Sequence, residues 1–359
     1  MQTFIINTSK SPIMNAYLSS FVNDRNNNFN LIRFIAALMV LYSHNYGLIG
    51  RIDPLKGITG LTCGEIAVDV FFVTSGFLIS SSFFRRKTLL RFVWARVLRI
   101  YPALIMSSLF CTFFIGLSFT QHTIGNYLTH PSTFIYFFKN ISLIFGVEYY
   151  LPGVFTELPK SAVNGSVWTL PHELRMYSAL AFLGIVITWL QKKQTKKLIQ
   201  KFFLTITFTT LFIKLLTPYC SILPINPNHI RLFSMFFMGV TFFLFQEEII
   251  LSKKLFVTCL VILFLSSIST ETFLPFYSLC LPYLIFYIAY IPQGHLLEFN
   301  KFGDFSYGIY LYSFPIQQSI LASIPTISFI QMLTLSTLAS LTVAFFSWHL
   351  IEKKALLRK

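Results

Sequence analysis

The chain has 359 residues, of which 55% are hydrophobic and only 11% charged, with 42 Phe among them; its mean hydropathy is +0.66. That composition excludes an ordinary soluble domain and leaves lipid as the medium in which helix packs against helix. The net charge of +15, from 28 Lys and Arg against 13 Asp and Glu, does not point to nucleic acid, because the basic residues gather in short connections between apolar runs and the aromatic residues lie inside those runs.

Residues 1–28 are polar and Asn-rich with no apolar h-region ahead of them, and read as a cytoplasmic tail rather than a cleaved signal peptide. The first apolar run, 31–49, contains Arg33 and His44. Eleven residues at 100° each come within about 20° of whole turns, so both side chains share a helix face, separated by roughly 16 Å along the axis. An ionisable group in hydrocarbon is a functional candidate by default. The plainer readings are that Arg33 snorkels to the interface and that His44 bonds a neighbouring helix. The second run, 66–84, carries Asp69 ahead of Ser75-Gly76.

A basic connection follows, ending in Arg96-x-x-Arg99-Ile100-Tyr101-Pro102. Residues at i and i+3 share a face, so Arg96 and Arg99 form either a bidentate phosphate grip or an ordinary positive-inside anchor. Pro102 suits the first turn of the next run, 102–120. The segment 133–147 is shorter and contains Lys139. The run 170–190 is entered through Ser166-Val167-Trp168-Thr169-Leu170-Pro171-His172-Glu173. Pro171 fits the first helical position and puts Glu173 in the first turn, where the helix dipole favours a carboxylate. Glu173 is then either half of an ion pair with Arg175 or an acid within reach of His44, at similar depth in the outer half of the membrane. Further runs are 202–217, 230–246, 255–270, 273–291, 305–323 and 327–350. Tyr307 and Tyr310, at the start of 305–323, are packing aromatics or substrate contacts. Cys63, Cys111, Cys220, Cys259 and Cys280 show no C-x-x-C pair and read as small hydrophobes. His122, His130, His229, His295 and His349 are scattered, so no metal site is expected.

Charge bias sets the topology. Arg85, Arg86, Lys87, Arg91, Arg96 and Arg99 belong on the cytoplasmic side, as do Lys192, Lys193, Lys196, Lys197 and Lys201. The two runs between these clusters need one outer connection, 121–169, so 133–147 is interfacial or re-entrant rather than an eleventh span. From residue 85 onward, 18 of the 28 Lys and Arg then lie in cytoplasmic connections and the C-terminal tail, against Arg51, Lys56, Lys139 and Lys160 in outer ones. The expected fold is an all-α integral membrane bundle of about ten transmembrane helices with both termini cytoplasmic. The expected division is a tail at 1–28, a membrane domain at 29–354 and a basic tail at 355–359.

Six stretches together resemble the acyltransferase-3 family of integral membrane O-acyltransferases. They are Leu31-Ile32-Arg33 through His44; Val68-Asp69 through Ser75-Gly76; Arg96-x-x-Arg99-Ile100-Tyr101-Pro102; Ser166-Val167-Trp168 through Glu173; Ser306-Tyr307-Gly308-Ile309-Tyr310; and Leu350-Ile351-Glu352. They occur in family order from about 29 to 354. The resemblance makes the membrane domain an acyltransferase domain and implies transfer of an acetyl or other small acyl group from acetyl-CoA, or another acyl-coenzyme A, to a hydroxyl of a cell-surface glycan such as lipopolysaccharide O-antigen or exopolysaccharide. It implies no metal, a glycan or lipid-linked glycan as acceptor, and a multi-pass protein of the bacterial inner membrane; 121–169, as the longest outer connection, is where a glycan-facing surface is expected. His44 is then general base or acyl carrier, oriented by Glu173 or Asp69; Arg33, Arg96 and Arg99 hold the donor's phosphates; Trp168, Tyr307 and Tyr310 contact substrate. Two features depart from many relatives: Ser313 stands where a His is common, and no esterase-like domain follows. The rival readings are a secondary transporter or flippase of lipid-linked sugars, which the lack of repeated halves disfavours, and a non-catalytic membrane assembly partner.

Overall fold

The computed structural model describes residues 15–24, 26–85, 88–189, 195–216 and 226–359; Arg86, Lys87, Lys192, Lys193, Cys220 and residues 1–14 of the tail lie outside them. Helix α1 (Phe29–Leu48) starts where Asn28 is pinned to the backbone around residues 288–292. The Asn28 amide donates to the carbonyls of Ile288 (3.1 Å) and Pro292 (2.7 Å), and its backbone N–H to Ala289 (2.8 Å). The short α2 (Pro54–Thr59) turns the chain into α3 (Cys63–Arg85). Asp53 organises this turn: it caps α2 at Leu55 N (3.0 Å), receives Cys63 N (3.0 Å) and receives the Ser43 hydroxyl (2.7 Å).

Helix α4 (Leu89–Leu109) continues through a π-turn at Phe110–Ile115 into α5 (Gly116–Phe119), one apolar rod of 31 residues, about 46 Å long. This corrects the expectation of a span opening at Pro102. Pro102 lies in the helix interior, and Arg96 and Arg99 lie two and one turns before it, inside the bundle. The chain then folds back through α6 (Ile124–Thr129) and α7 (Pro131–Ser142). At the top of α5, Gln121 N donates to Gly153 O (3.0 Å) and the Thr120 hydroxyl to Pro152 O (2.7 Å). At the bottom of α7, the Tyr101 hydroxyl reaches Ser142 O (3.5 Å). The segment between descends along α4 and returns, held arm to arm by Asn140, whose amide donates to Glu148 O (2.9 Å) and accepts from Glu148 N (2.9 Å).

Helices α8 (Leu170–Trp189), α9 (Thr195–Leu216), α10 (Pro227–Leu244), α11 (Lys253–Ser266), α12 (Thr270–Tyr290), α13 (Ser306–Ser323), α14 (Phe329–Ser347) and, after a second π-turn at Trp348–Glu352, α15 (Lys353–Leu356) complete the bundle. Strand β1 (Asn15–Tyr17) pairs antiparallel with β2 (Ile250–Ser252), Asn15 opposite Ser252. Among the described residues six helices are long and apolar enough to cross a membrane: Phe29–Leu48, Cys63–Arg85, Leu89–Phe119, Lys196–Leu216, Thr270–Tyr290 and Phe329–Leu356. The other four expected runs coincide with α8, α10, α11 and α13, so the count of ten rests on the sequence reading.

The central helix is α3, which packs on α1, α8, α10 and α12. It meets α10 at backbone distance: a Cβ on Gly76 would collide with the Phe236 carbonyl, and one on Gly239 with the Val73 carbonyl. Small residues bring transmembrane helices this close. The contact fixes the face of α3 that carries Phe72, Ser75 and Ile79.

Candidate active site

That face of α3 walls a cavity of about 100 Å³. Along α3 the lining runs from Ile79 to Val68, eleven residues or about 16 Å. Its walls are mostly apolar, from Val68, Phe71, Phe72, Leu78, Ile79 and Leu170. Three arginines enter it from two helices: Arg33 from α1, Arg96 and Arg99 from α4. The start of α8 contributes Thr169 and Leu170, where first-turn N–H groups have no intrahelical acceptor and add positive potential. A narrow slot with three guanidiniums beside apolar walls suits an anionic head on a long arm.

Asp304, in the connection before α13, orders two of the arginines. Its Oδ2 lies 2.5 Å from Arg99 and 3.7 Å from Arg33, while Oδ1 accepts from Ser306 N (3.2 Å) and the Ser306 hydroxyl (2.5 Å). Burial would raise this carboxyl, but the Arg99 and Arg33 charges and the Ser306 bond outweigh burial and hold it well below the usual carboxylate range. Glu352 from the second π-turn is also buried and accepts from the Ser347 hydroxyl (2.9 Å). Neither acid stood among the expected site residues. The available signal for Asp304 was an acid in a connection between apolar runs, two residues before a serine at a helix start.

Glu173 lies in this cavity. It accepts from the Tyr177 hydroxyl one turn along α8 and from the Ser75 hydroxyl (3.4 Å), and Ser75 and Tyr177 also bond each other (3.0 Å). The Arg96 guanidinium stands 6.0 Å from the Tyr177 ring centre. Tyr307 and Tyr310 line the cavity with their hydroxyls committed to backbone. Tyr307 donates to Ile100 O (3.0 Å); Tyr310 bonds Ser166 O and the Thr169 hydroxyl, both at 2.5 Å. Tyr310 thereby fixes the 166–169 turn that feeds α8.

Three expected site residues lie elsewhere. His44 does not line the cavity; its ring is set edge-on against Phe314 (5.1 Å, 83°), one turn beyond Tyr310 on α13, with Nδ1 buried and unbonded. Glu173 is therefore not its orienting partner: the carboxylate turns to Ser75 and Tyr177, toward the arginines. Asp69 is not that partner either. It is fully buried on another face of α3, accepting from the Tyr277 hydroxyl (3.0 Å) and standing 3.7 Å from Arg231, which also faces Glu65 (3.5 Å). The reason is angular, since Asp69 and Ser75 are six residues apart on one helix and point about 120° from a shared direction. Trp168 packs against His172 (5.9 Å), which packs on His229 (4.2 Å). Among the described residues no group of three or more His, Cys, Asp or Glu side chains is arranged to hold a metal ion.

Comparison with known proteins adds a second line of observation. A family model described as an acyltransferase domain, acyltransferase-3, matches residues 26–350. An "O-acetyl transferase" of Shigella phage Sf6 is 29% identical over 349 residues, covering 93% of this chain and 97% of that protein. "Nodulation protein 10" of Rhizobium leguminosarum bv. viciae is 33% identical over 164 residues, 44% of each chain. No solved structure matches.

Proposed function

The chain belongs to the acyltransferase-3 family of acyltransferase domains, and from that premise we propose that it moves an acetyl or other small acyl group from acyl-coenzyme A to a hydroxyl of a cell-surface glycan. The observation that carries the reading is the convergence of Arg33, Arg96 and Arg99 on one narrow, apolar-walled cavity. Polyphosphate heads are bound by arginine forks, and a pantetheine arm needs an extended apolar slot. The slot runs about 16 Å along α3, and His44 stands roughly the same distance from Arg33 along α1.

The donor's phosphates rest on the arginines, two of which, Arg33 and Arg99, Asp304 holds in register. The thioester reaches the outer end of the slot, and His44 acts as general base from beyond Tyr310. It takes the proton of the sugar hydroxyl as that oxygen attacks the thioester carbonyl carbon. The C–S bond then breaks, and the proton passes to the departing thiolate. Glu173, with Ser75 and Tyr177, offsets part of the arginine charge. The name of the phage relative, an O-acetyl transferase, supports acetyl as the group and an oxygen as its destination. Ten spans in the bacterial inner membrane, with both termini cytoplasmic, put the arginines on the donor's side and residues 121–169 on the glycan's side.

Radiolabelled acetyl-CoA supplied to membranes containing the protein tests this. Label should enter the glycan and be lost in His44→Ala, while Arg96→Ala should raise the donor KM about tenfold or more. Transport of unmodified glycan without label would overturn the enzyme reading; an unchanged donor KM in Arg96→Ala would overturn the arginine clamp.

A further inference from the structure

Attack of a hydroxyl on a thioester places a negative charge on the carbonyl oxygen, and acyl-transfer sites answer it with a fixed donor. Of the neighbours of His44 on α1, Ser43 donates to Asp53 (2.7 Å), and the Asn45 side-chain oxygen accepts from the Gln317 amide (2.8 Å) while its own amide nitrogen is buried and unbonded. The arginines lie in the cavity His44 does not line. A cation that does stand against this face of α1 comes from the outer connection. Gly47 is three residues beyond His44, on the same face, and the Lys160 ammonium rests against its bare Cα. A Cβ at Gly47 would stand 3.0 Å from Lys160 Nζ. From there its charge lies on the face of α1 that carries His44, about one turn further along the helix.

Lys160 is an exposed residue whose backbone is held in place. Its carbonyl accepts from the Gln318 amide (2.5 Å), as does that of Ala162 (2.8 Å), tying the segment to α13. Among the described residues its ammonium has no carboxylate partner, although Glu157 is three positions away and bonds Gln121 instead (3.2 Å). The residues just before it, Glu157, Leu158 and Pro159, line a groove of about 780 Å³ at the C-terminal end of α1, together with Arg51 and Phe329.

We infer that Lys160 is the oxyanion-stabilising residue of the transfer, its Nζ–H groups holding the carbonyl oxygen while His44 holds the proton of the attacking hydroxyl. The inference rests on the acyl-transfer reading above. Nothing else in the balance changes: the oxyanion collapses, the C–S bond breaks, and Lys160 stays protonated throughout.

The test uses the full-length protein in detergent, labelled acetyl-CoA, and the host's surface polysaccharide stripped of acetyl groups by mild alkali. Lys160→Met should lower kcat about 100-fold or more, in the range seen when one oxyanion donor is removed, with the donor KM within about twofold of the parent. Lys160→Arg, which keeps the charge, should recover much of the loss. Gly47→Ala, which leaves Lys160 in place but displaces its ammonium, should lower kcat in the same direction. A kcat for Lys160→Met within about threefold of the parent overturns the role, and so does an equal loss in the Arg and Met variants. If the parent transfers no label to the polysaccharide, the acyl-transfer reading fails instead. If His44→Ala is dead while Lys160→Met is active, only the lysine assignment falls.

Discussion

Asp304 shows how much a single carboxylate governs. It is 8% exposed and sits between Arg99 and Arg33, so removing its charge leaves two guanidiniums facing each other with no anion between them. Breaking such a pair from one side costs on the order of 3 kcal/mol. Asp304→Asn should therefore lower the midpoint of thermal unfolding in detergent and raise the donor KM, whereas Asp304→Glu should do less of both. The pH dependence has a definite sign. The folded carboxyl lies below its ordinary value of 3.8, so its contribution is complete above that value and is lost only as acid takes the pH down through the lower, folded one. The stability difference between parent and Asp304→Asn should be flat from pH 5 to pH 9 and shrink only in stronger acid; a difference that fades near neutrality would remove Asp304 from the account.

At the level of elements, the crossing of α3 and α10 sets the cavity wall. Gly76 and Gly239 each face a backbone carbonyl of the other helix, and a carbonyl within a helix cannot swing aside as a flexible side chain can. Overpacking of this kind costs about 1–3 kcal/mol or more. Gly76→Ala and Gly239→Ala should each destabilise the protein and reduce activity by shifting Ser75 and Phe72. The double variant should fall short of the sum, because one separation of the helices relieves both clashes; strictly additive losses would mean the two contacts are independent. By contrast, a methyl group at Gly57 meets nothing within 4 Å, so Gly57→Ala is the matched control. The long α4 rod belongs to the same scale. Pro102 in its interior costs a helical hydrogen bond, yet the apolar length on both sides carries the helix through.

For the whole molecule, the orientation rests on where the basic connections lie. A single Cys in place of Thr156, which is exposed in the 121–169 connection, should react with a membrane-impermeant thiol reagent in intact cells. One in place of Glu247, exposed beside β2, should react only after the membrane is opened. Cys63, Cys111, Cys259 and Cys280 are buried and give little background; replacing Cys220 completes it. The reverse labelling pattern would invert the protein and move the arginine cavity to the wrong side for a cytoplasmic donor.

Long apolar runs and an uneven distribution of Lys and Arg are properties of the chain in one dimension, so the sequence by itself determined the membrane class and the positions of the apolar helices; it left 133–147 as interfacial or re-entrant, and only the tertiary structure packs α7 against α4. The ordered motifs determined the family, and the spacing of Arg33 and His44 on one helix was legible for the same reason. Which side chains meet was decided only by tertiary structure, because that depends on how helices rotate about their axes and how closely they cross. The three arginines line one cavity. The carboxylates diverge: Glu173 turns to Ser75 and Tyr177, Asp69 to Tyr277 and Arg231, and the acid that orders Arg33 and Arg99 is Asp304. Lys160, 113 residues from Gly47 in the chain, reaches the face of α1 that carries His44 because the outer connection is tied across α13 and Gly47 has no side chain to keep it away.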